Sequence, residues 1–124
     1  MGDNVLRGIR GAITAERNTS EEIKAASWEL LEAVIKKNDI DPEDIASIFF
    51  TVTQDLDAVF PAMGVRDKGF KYVPLLCSIE INVPGSLARC IRILVHVNTR
   101  KSQKEIKHVY LRDAVRLRED LISD

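Results

Sequence analysis

The sequence predicts an α+β fold, a mixed β-sheet packed with a long amphipathic helix and short helices, and three observations carry that expectation. Residues 89 to 99 alternate at period two, with Ile91, Ile93, Val95 and Val97 on one face and Arg92, Leu94 and His96 on the other. Residues 19 to 37 instead place Ile23, Ala26, Leu30, Leu31, Val34 and Ile35 on one helical stripe. The remaining apolar runs, around residues 5–14, 45–53, 72–83 and 108–111, have strand length and are punctuated by polar, proline and glycine residues. At 124 residues, 45% hydrophobic and 30% charged, these elements make one domain over 1–124, large enough for a real core yet small enough that oligomerisation would help it.

Val5 to Thr14 is the first strand, in which Arg7, Ile9, Gly11 and Ile13 alternate with Leu6, Gly8, Arg10, Ala12 and Thr14. Glycines inside a strand mark a bulge or a close approach by a ligand or another backbone, so Arg10 is either placed to reach a bound group or is a plain edge-strand arginine. Thr19 and Glu22 form a capping box before the helical stripe, which closes on Lys36, Lys37 and Asn38, the basic last turn that the macrodipole favours. Trp28 lies off the stripe, at its flank or at a subunit contact. Asp41-Pro42-Glu43-Asp44 starts a helix of about one turn. Ile45 to Thr53 is the second strand, expected to be buried on both sides. Pro61 opens a short helix ending near Gly69. Phe60 and Arg66 flank it, and each taken alone is a core phenylalanine or a solvated arginine as readily as a site residue. Tyr72 to Val83 is the third strand, with Pro74 near its start and Glu80 as its anomaly, a lone carboxylate that must face water or be held by a partner. Pro84-Gly85-Ser86 turns the chain into the strand of Arg92, whose two partly apolar faces suit a central, covered position. His108 to Leu111 is a brief strand with His108 and Tyr110 on one side, and a charged tail follows from Arg112.

Charge isolates Arg92. A guanidinium is ionised at every working pH, so a partly buried one needs anions or aligned acceptors. Arg92 either snorkels to solvent, pairs with a carboxylate such as Glu80, or waits for an anionic ligand. Globally, 18 Lys and Arg against 19 Asp and Glu give a net charge of −1, which argues for no nucleic acid and no anionic membrane surface as partner. No apolar run is long enough to span a bilayer, and Met-Gly-Asp-Asn lacks the regions of a signal peptide, so a cytoplasmic location is expected. Cys77 and Cys90 stand apart without zinc-ligand spacing and suit a reducing compartment, each as a small buried hydrophobe. His96 and His108 lack neighbouring nucleophile signatures and read as structural. No P-loop, dinucleotide fingerprint, zinc-protease motif or nucleophile elbow is present. What remains, arginines with a tyrosine and one glutamate on a mixed sheet, suits a site that binds a compact polyanion and positions it rather than attacking it.

Five segments in order, Arg7-Gly-Ile-Arg-Gly-Ala12, Asp55-Leu-Asp-Ala-Val-Phe-Pro-Ala62, Tyr72-Val-Pro74 with Cys77 and Glu80, Cys90-Ile-Arg92, and Lys107-His-Val-Tyr-Leu111 through Ala114 and Leu117-Arg118, resemble the trimeric α+β class of monofunctional chorismate mutases. The match runs along nearly the whole chain. The unrelated helical class is excluded by the strand runs. The departures are Met63, at a position where lysine occurs in relatives, and Leu76, at one where a small polar residue occurs; they bear on substrate affinity rather than on the chemistry. The resemblance implies a homotrimer with a pseudo-barrel core and active sites in clefts between subunits. It also implies rearrangement of chorismate to prephenate in phenylalanine and tyrosine biosynthesis, with no cofactor, metal or covalent intermediate. Carried over residue by residue, Arg92 would donate to the ether oxygen and a carboxylate, and Arg10 and Tyr110 would hold carboxylates. Glu80 would accept from the ring hydroxyl with Cys77 nearby. Phe60, Ala62, Val73 and Leu117 would shape an apolar wall, and Arg66 and Arg118 would rim the entrance. Two readings from other classes stand beside this one. A small trimeric imine or enamine deaminase is disfavoured by the ordered motif set, and a non-catalytic regulatory domain for an aromatic metabolite by a cation such as Arg92 at the ether oxygen.

Overall fold

The apolar runs pair into one sheet. In the structure, a computed structural model that describes residues 3–118, β1 (Val5–Thr14), β2 (Ile45–Val52), β3 (Leu75–Ile79), β4 (Cys90–Thr99) and β5 (Val109–Tyr110) lie in the order β3-β2-β4-β1-β5. The sheet is mixed: β4 runs antiparallel to both β1 and β2, while β3 and β5 lie parallel to β2 and β1 at the two edges. The strand of Arg92 is therefore central, as its pattern predicts. Its Ile91, Ile93, Val95 and Val97 are buried against Ile23, Ala26, Leu30, Leu31 and Val34 of α1 (Ser20–Lys37), joined by Ile9 and Ile13 of β1 and Ile48 and Phe50 of β2. A helix stripe at spacing 3.6 has met a strand face at spacing two, and that junction is the core.

The helix starts where the sequence places it, with Thr19 Oγ1 accepting the Glu22 N–H at 3.2 Å. The predicted return half of the capping box is replaced. Glu22 accepts the Glu16 N–H at 2.7 Å and pairs with Arg112 at 2.8 Å, because a carboxylate in the first turn takes a nearby full charge in preference to a single cap N–H. At the other end Asn38 donates to the Val34 and Lys107 carbonyls and accepts the Lys107 N–H, tying the helix to the chain approaching β5. Trp28 sits at the flank of the stripe, its ring centroid 6.0 Å from that of Phe70. The helix α2 (Ala62–Arg66) continues in turns to Gly69, which stops it at φ 102°. Its Gly64 lies directly on α1: a Cβ there would stand 2.3 Å from the Lys24 carbonyl oxygen.

Three local expectations are corrected. The strand expected over Tyr72 to Val83 forms only over Leu75–Ile79, because β3 has one neighbour and the ladder ends with it. Ile48 donates to the Pro74 carbonyl at one end, and Glu80 donates to the Val52 carbonyl, the last residue of β2, at the other. Second, β2 is not buried on both sides. Ile48, Phe50 and Val52 face the core, but Phe49 is 41% exposed, since the helices cover one face of the sheet only. The second face of β4, with Arg92 and Leu94, is open for the same reason. Third, β1 carries no bulge: it pairs with β4 without interruption from Val5↔Thr99 to Thr14↔Cys90, and the irregularity falls in β2 between Ile45 and Ser47. The close approach at Gly11 comes from Leu30 and Ile93 side chains, 3.1 Å from where a Cβ would be. The open face is covered at one end, where a 3₁₀ segment, Arg112–Arg118, brings Ala114 onto Ala12 and Cys90 beside Leu87, Tyr110 and Leu117. Among the described residues no helix is long and apolar enough to cross a membrane.

Candidate functional site

Register assembles the first group of predicted residues. Thr51 of β2 pairs with Arg92, Arg92 with Ala12, and Ala12 with Tyr110, so one row crosses four strands on the open face. The next row along runs Leu76, Phe49, Leu94, Arg10. Arg92 and Arg10 thus sit two residues apart along the sheet, on the same face, because strand side chains alternate. Ala12, between Arg92 and Tyr110 in this row, is buried under Ala114, with Leu117 and Tyr110 packed beside it.

Glu80, one residue beyond β3, turns its carboxylate back along this row. Thr51 Oγ1 donates to it at 2.7 Å, and Arg92 Nε lies 3.5 Å away. The hydroxyl bond is tight. The ion pair is loose by comparison with a charge-assisted bond of about 2.7–2.9 Å, and with Arg92 44% and Glu80 28% exposed it is worth at most about 1 kcal/mol. It orients the guanidinium more than it neutralises it. Of the three alternatives open for Arg92, the structure shows pairing with Glu80 together with partial exposure to solvent. Two residues before Arg92 on the same face, Cys90 is buried, and burial pushes its thiol up against the opposing pull of the Arg92 charge. Leu117 packs against Ala12, Cys90 and Ala114 next to Tyr110. The side chain of Arg118 lies outside the described residues. His108 behaves as a structural residue: its Nδ1 accepts the Arg10 backbone N–H at 3.0 Å, and burial, with the Arg10 charge, lowers its pKa and keeps it a neutral acceptor.

A second group lies at the edge strand. Phe60, Ala62, Arg66 and Cys77 line one hollow of about 310 Å³ with Met63, Leu75 and Leu76. Pro61 and the short helix after it place Ala62 and Arg66 along the hollow. Cys77, the register partner of Phe50, comes toward it from the core side of β3. Burial raises the Cys77 thiol pKa, so it is an apolar wall rather than a thiolate. Phe60 is 71% exposed and also borders a neighbouring hollow of about 520 Å³, lined with Val52, Leu56, Val59 and Ile79. The core-phenylalanine alternative for Phe60 is therefore removed. Val73 is set apart from this group, packing against the main core.

Sequence reading missed Thr51 and Leu75. Each lies inside a strand it identified, but a threonine in a β-run carries no sign of the carboxylate it will meet across the sheet. Arg112 was also missed, because its acceptors, the Thr14 carbonyl, Glu22 and Glu29, are more than eighty residues away in the chain. Among the described residues no three or more His, Cys, Asp or Glu side chains come together as metal ligands.

A central-strand arginine 3.5 Å from a carboxylate, on the same open face as a second arginine and in register with a tyrosine, marks the polar site of a small mixed α+β protein. The model of the family chorismate mutase type I matches residues 6–121. Chorismate mutase AroH of Bacillus subtilis (strain 168) is 48% identical over 118 residues, covering 94% of this chain and 93% of that protein. Chorismate mutase AroH of Thermus thermophilus is 51% identical over 120 residues, covering 96% and 98%. A solved chorismate mutase from Clostridium thermocellum superposes with a TM-score of 0.86 at 51% identity, over 88% of this chain and 97% of that one. The chain belongs to the type I chorismate mutase family. Its activity is that of a chorismate mutase, an isomerase.

Proposed function

We propose that the open-face group and the edge hollow are two parts of one active site, in which chorismate rearranges to prephenate on the route to phenylalanine and tyrosine. The observation that carries this reading is the row Thr51, Arg92, Ala12, Tyr110 with Glu80 on Arg92. In the rearrangement the C–O bond breaks ahead of C–C bond formation, so negative charge grows on the ether oxygen. Arg92 donates there and to a carboxylate, which favours the transition state over the ground state. Arg10 and Tyr110 hold the carboxylates and select the compact, chair-like conformer, replacing an entropic cost of the free reaction with prior binding. Glu80, its other contacts made by Thr51 and Arg92, accepts from the ring hydroxyl. Phe60, Ala62, Leu117 and the Cys77 edge form the apolar wall, Val73 supports it from the core, and Arg66 stands at the rim, a role the family resemblance also gives to Arg118. No cofactor, metal or covalent intermediate enters these steps. Loss of chorismate absorbance with the purified protein, with prephenate as product, is the direct test; bound chorismate without turnover would favour the regulatory-domain reading instead.

The site is completed between subunits of a homotrimer whose sheets form a pseudo-barrel core. Two features support this. Leu76, Phe49 and Leu94 form a contiguous exposed apolar row on the open face, which a lone domain would rarely leave in water. The hollow and the Arg92 row also occupy different parts of one chain, the arrangement expected where a neighbour supplies the complementary half. Sedimentation at micromolar concentration is expected to give a trimer. A stable monomer with full activity would defeat the shared-site arrangement.

Glu80→Gln is expected to lose part of its activity with the fold intact, since the amide oxygen still accepts and can keep the Thr51 bond. Glu80→Ala loses more, because Thr51 and Arg92 are then both left without their partner. Equal and full activity in both variants would return Glu80 to a surface carboxylate with no part in the chemistry.

A further inference from the structure

Arg112 has no part in the steps above, yet its side chain is held by more hydrogen bonds than that of Arg10, Arg66 or Arg92. Its Nη1 donates to the Thr14 carbonyl at 3.0 Å and to Glu22 at 2.8 Å, and its Nη2 donates to Glu29 at 2.8 Å. Glu22 and Glu29 lie seven residues apart on α1, two turns along one face, so a planar fork can reach both. Glu22 is nearly buried; burial alone would raise its pKa, but the Glu16 N–H and the Arg112 charge outweigh that and hold the carboxyl below its usual value. The backbone is unusual as well. Arg112 has φ 54°, a left-handed conformation that a side chain adopts only where its surroundings over-determine it.

What this clasp holds is the segment on either side of it. Tyr110 precedes it by two residues, paired with Ala12 in a strand only two residues long. Leu111 donates its N–H to the Ala12 carbonyl at 2.9 Å, and Asp113 donates its N–H to Thr14 Oγ1 at 3.2 Å. Leu117 follows, on the small core of Ala12, Cys90 and Ala114. A two-residue strand has too few ladder bonds to fix the position of Tyr110 by itself. We propose that Arg112 is a positioning residue: its fork fastens to α1 the segment that presents Tyr110 and Leu117 to chorismate. The inference rests on the reading of those two residues as substrate contacts.

Arg112→Gly is the informative variant, because it removes the fork while relieving the left-handed strain, so the fold is retained. It is expected to raise KM for chorismate about tenfold, with kcat changed less than about threefold and Tm close to that of the parent protein. Arg112→Lys is expected to recover only part of that loss, since an ammonium cannot serve both glutamates and the Thr14 carbonyl in fork geometry. Glu29→Gln should raise KM in the same direction by about two- to threefold. Tyr110→Phe and Leu117→Ala are measured alongside. If they weaken binding and Arg112→Gly leaves KM unchanged, the positioning role is overturned and the site reading stands. If they are silent, the site reading fails and the inference falls with it. A lowered Tm with normal KM in Arg112→Gly would likewise overturn it, leaving Arg112 a purely stabilising residue.

Discussion

Arg92→Lys is expected to slow turnover about a hundred- to thousandfold while the protein remains folded and assembled. One preorganised donor at a developing oxyanion is worth roughly 2.7 to 4 kcal/mol, and in the proposed mechanism Arg92 supplies it. The structure makes lysine the discriminating substitution. The contact to Glu80 is a 3.5 Å approach through Nε, the kind of loose pairing an ammonium can also make, so a merely structural role would survive the change. The proposed use of the planar fork, serving a carboxylate and the ether oxygen together, would not. Arg92→Ala is expected to lose at least as much turnover and to lower Tm by only a few degrees, because the pair it removes is half-exposed and worth at most about 1 kcal/mol. Near-normal kcat in the lysine variant, measured beside Tm, would sink the mechanism.

Gly64→Ala is expected to be the most damaging single methyl in the described chain. Its Cβ would lie 2.3 Å from the Lys24 carbonyl oxygen and 2.8 Å from the Lys24 Cα, and both obstacles are backbone in the middle of α1. Neither can yield by changing a rotamer, so α2 must move away from α1. Overpacking of this kind costs about 1–3 kcal/mol, a fall in Tm of roughly 3–15 °C for a domain of this size. Because α2 carries Ala62 and Arg66 and follows Phe60, KM should rise in the same variant. Gly11→Ala provides the contrast. There the atoms at 3.1 Å are side-chain ends of Leu30 and Ile93, which can shift by tenths of an ångström, so the loss of stability should be clearly smaller. Equal stability in the two variants, read by thermal melting, would show that α2 docks loosely and that Gly64 is not what seats it.

Local patterning was enough to place the strand Val5–Thr14 and the helix Ser20–Lys37 with its Thr19 cap, because each depends on the spacing of neighbouring residues and on one or two capping groups. It also identified Arg92 as a charge in need of an explanation and, through the ordered segments, the family. It failed where the outcome depended on a partner strand. The third strand is shorter than its apolar run predicts, since nothing near Tyr72 or Val83 records that β2 stops at Val52. The second face of β2 is exposed where its pattern predicts burial, since apolar residues such as Phe49 look alike whether they meet a helix or an open surface. The row of Thr51, Arg92, Ala12 and Tyr110, the Glu80 carboxylate against Thr51 and Arg92, and the clasp of Arg112 on Glu22 and Glu29 all join residues far apart in the chain. Register between distant strands is set by how a whole hydrophobic face seats against α1, and a shift of one residue would send Arg92 into the core. Periodicity along one segment specifies which face is apolar; the packing of the assembled sheet selects which polar residues on the other face become neighbours.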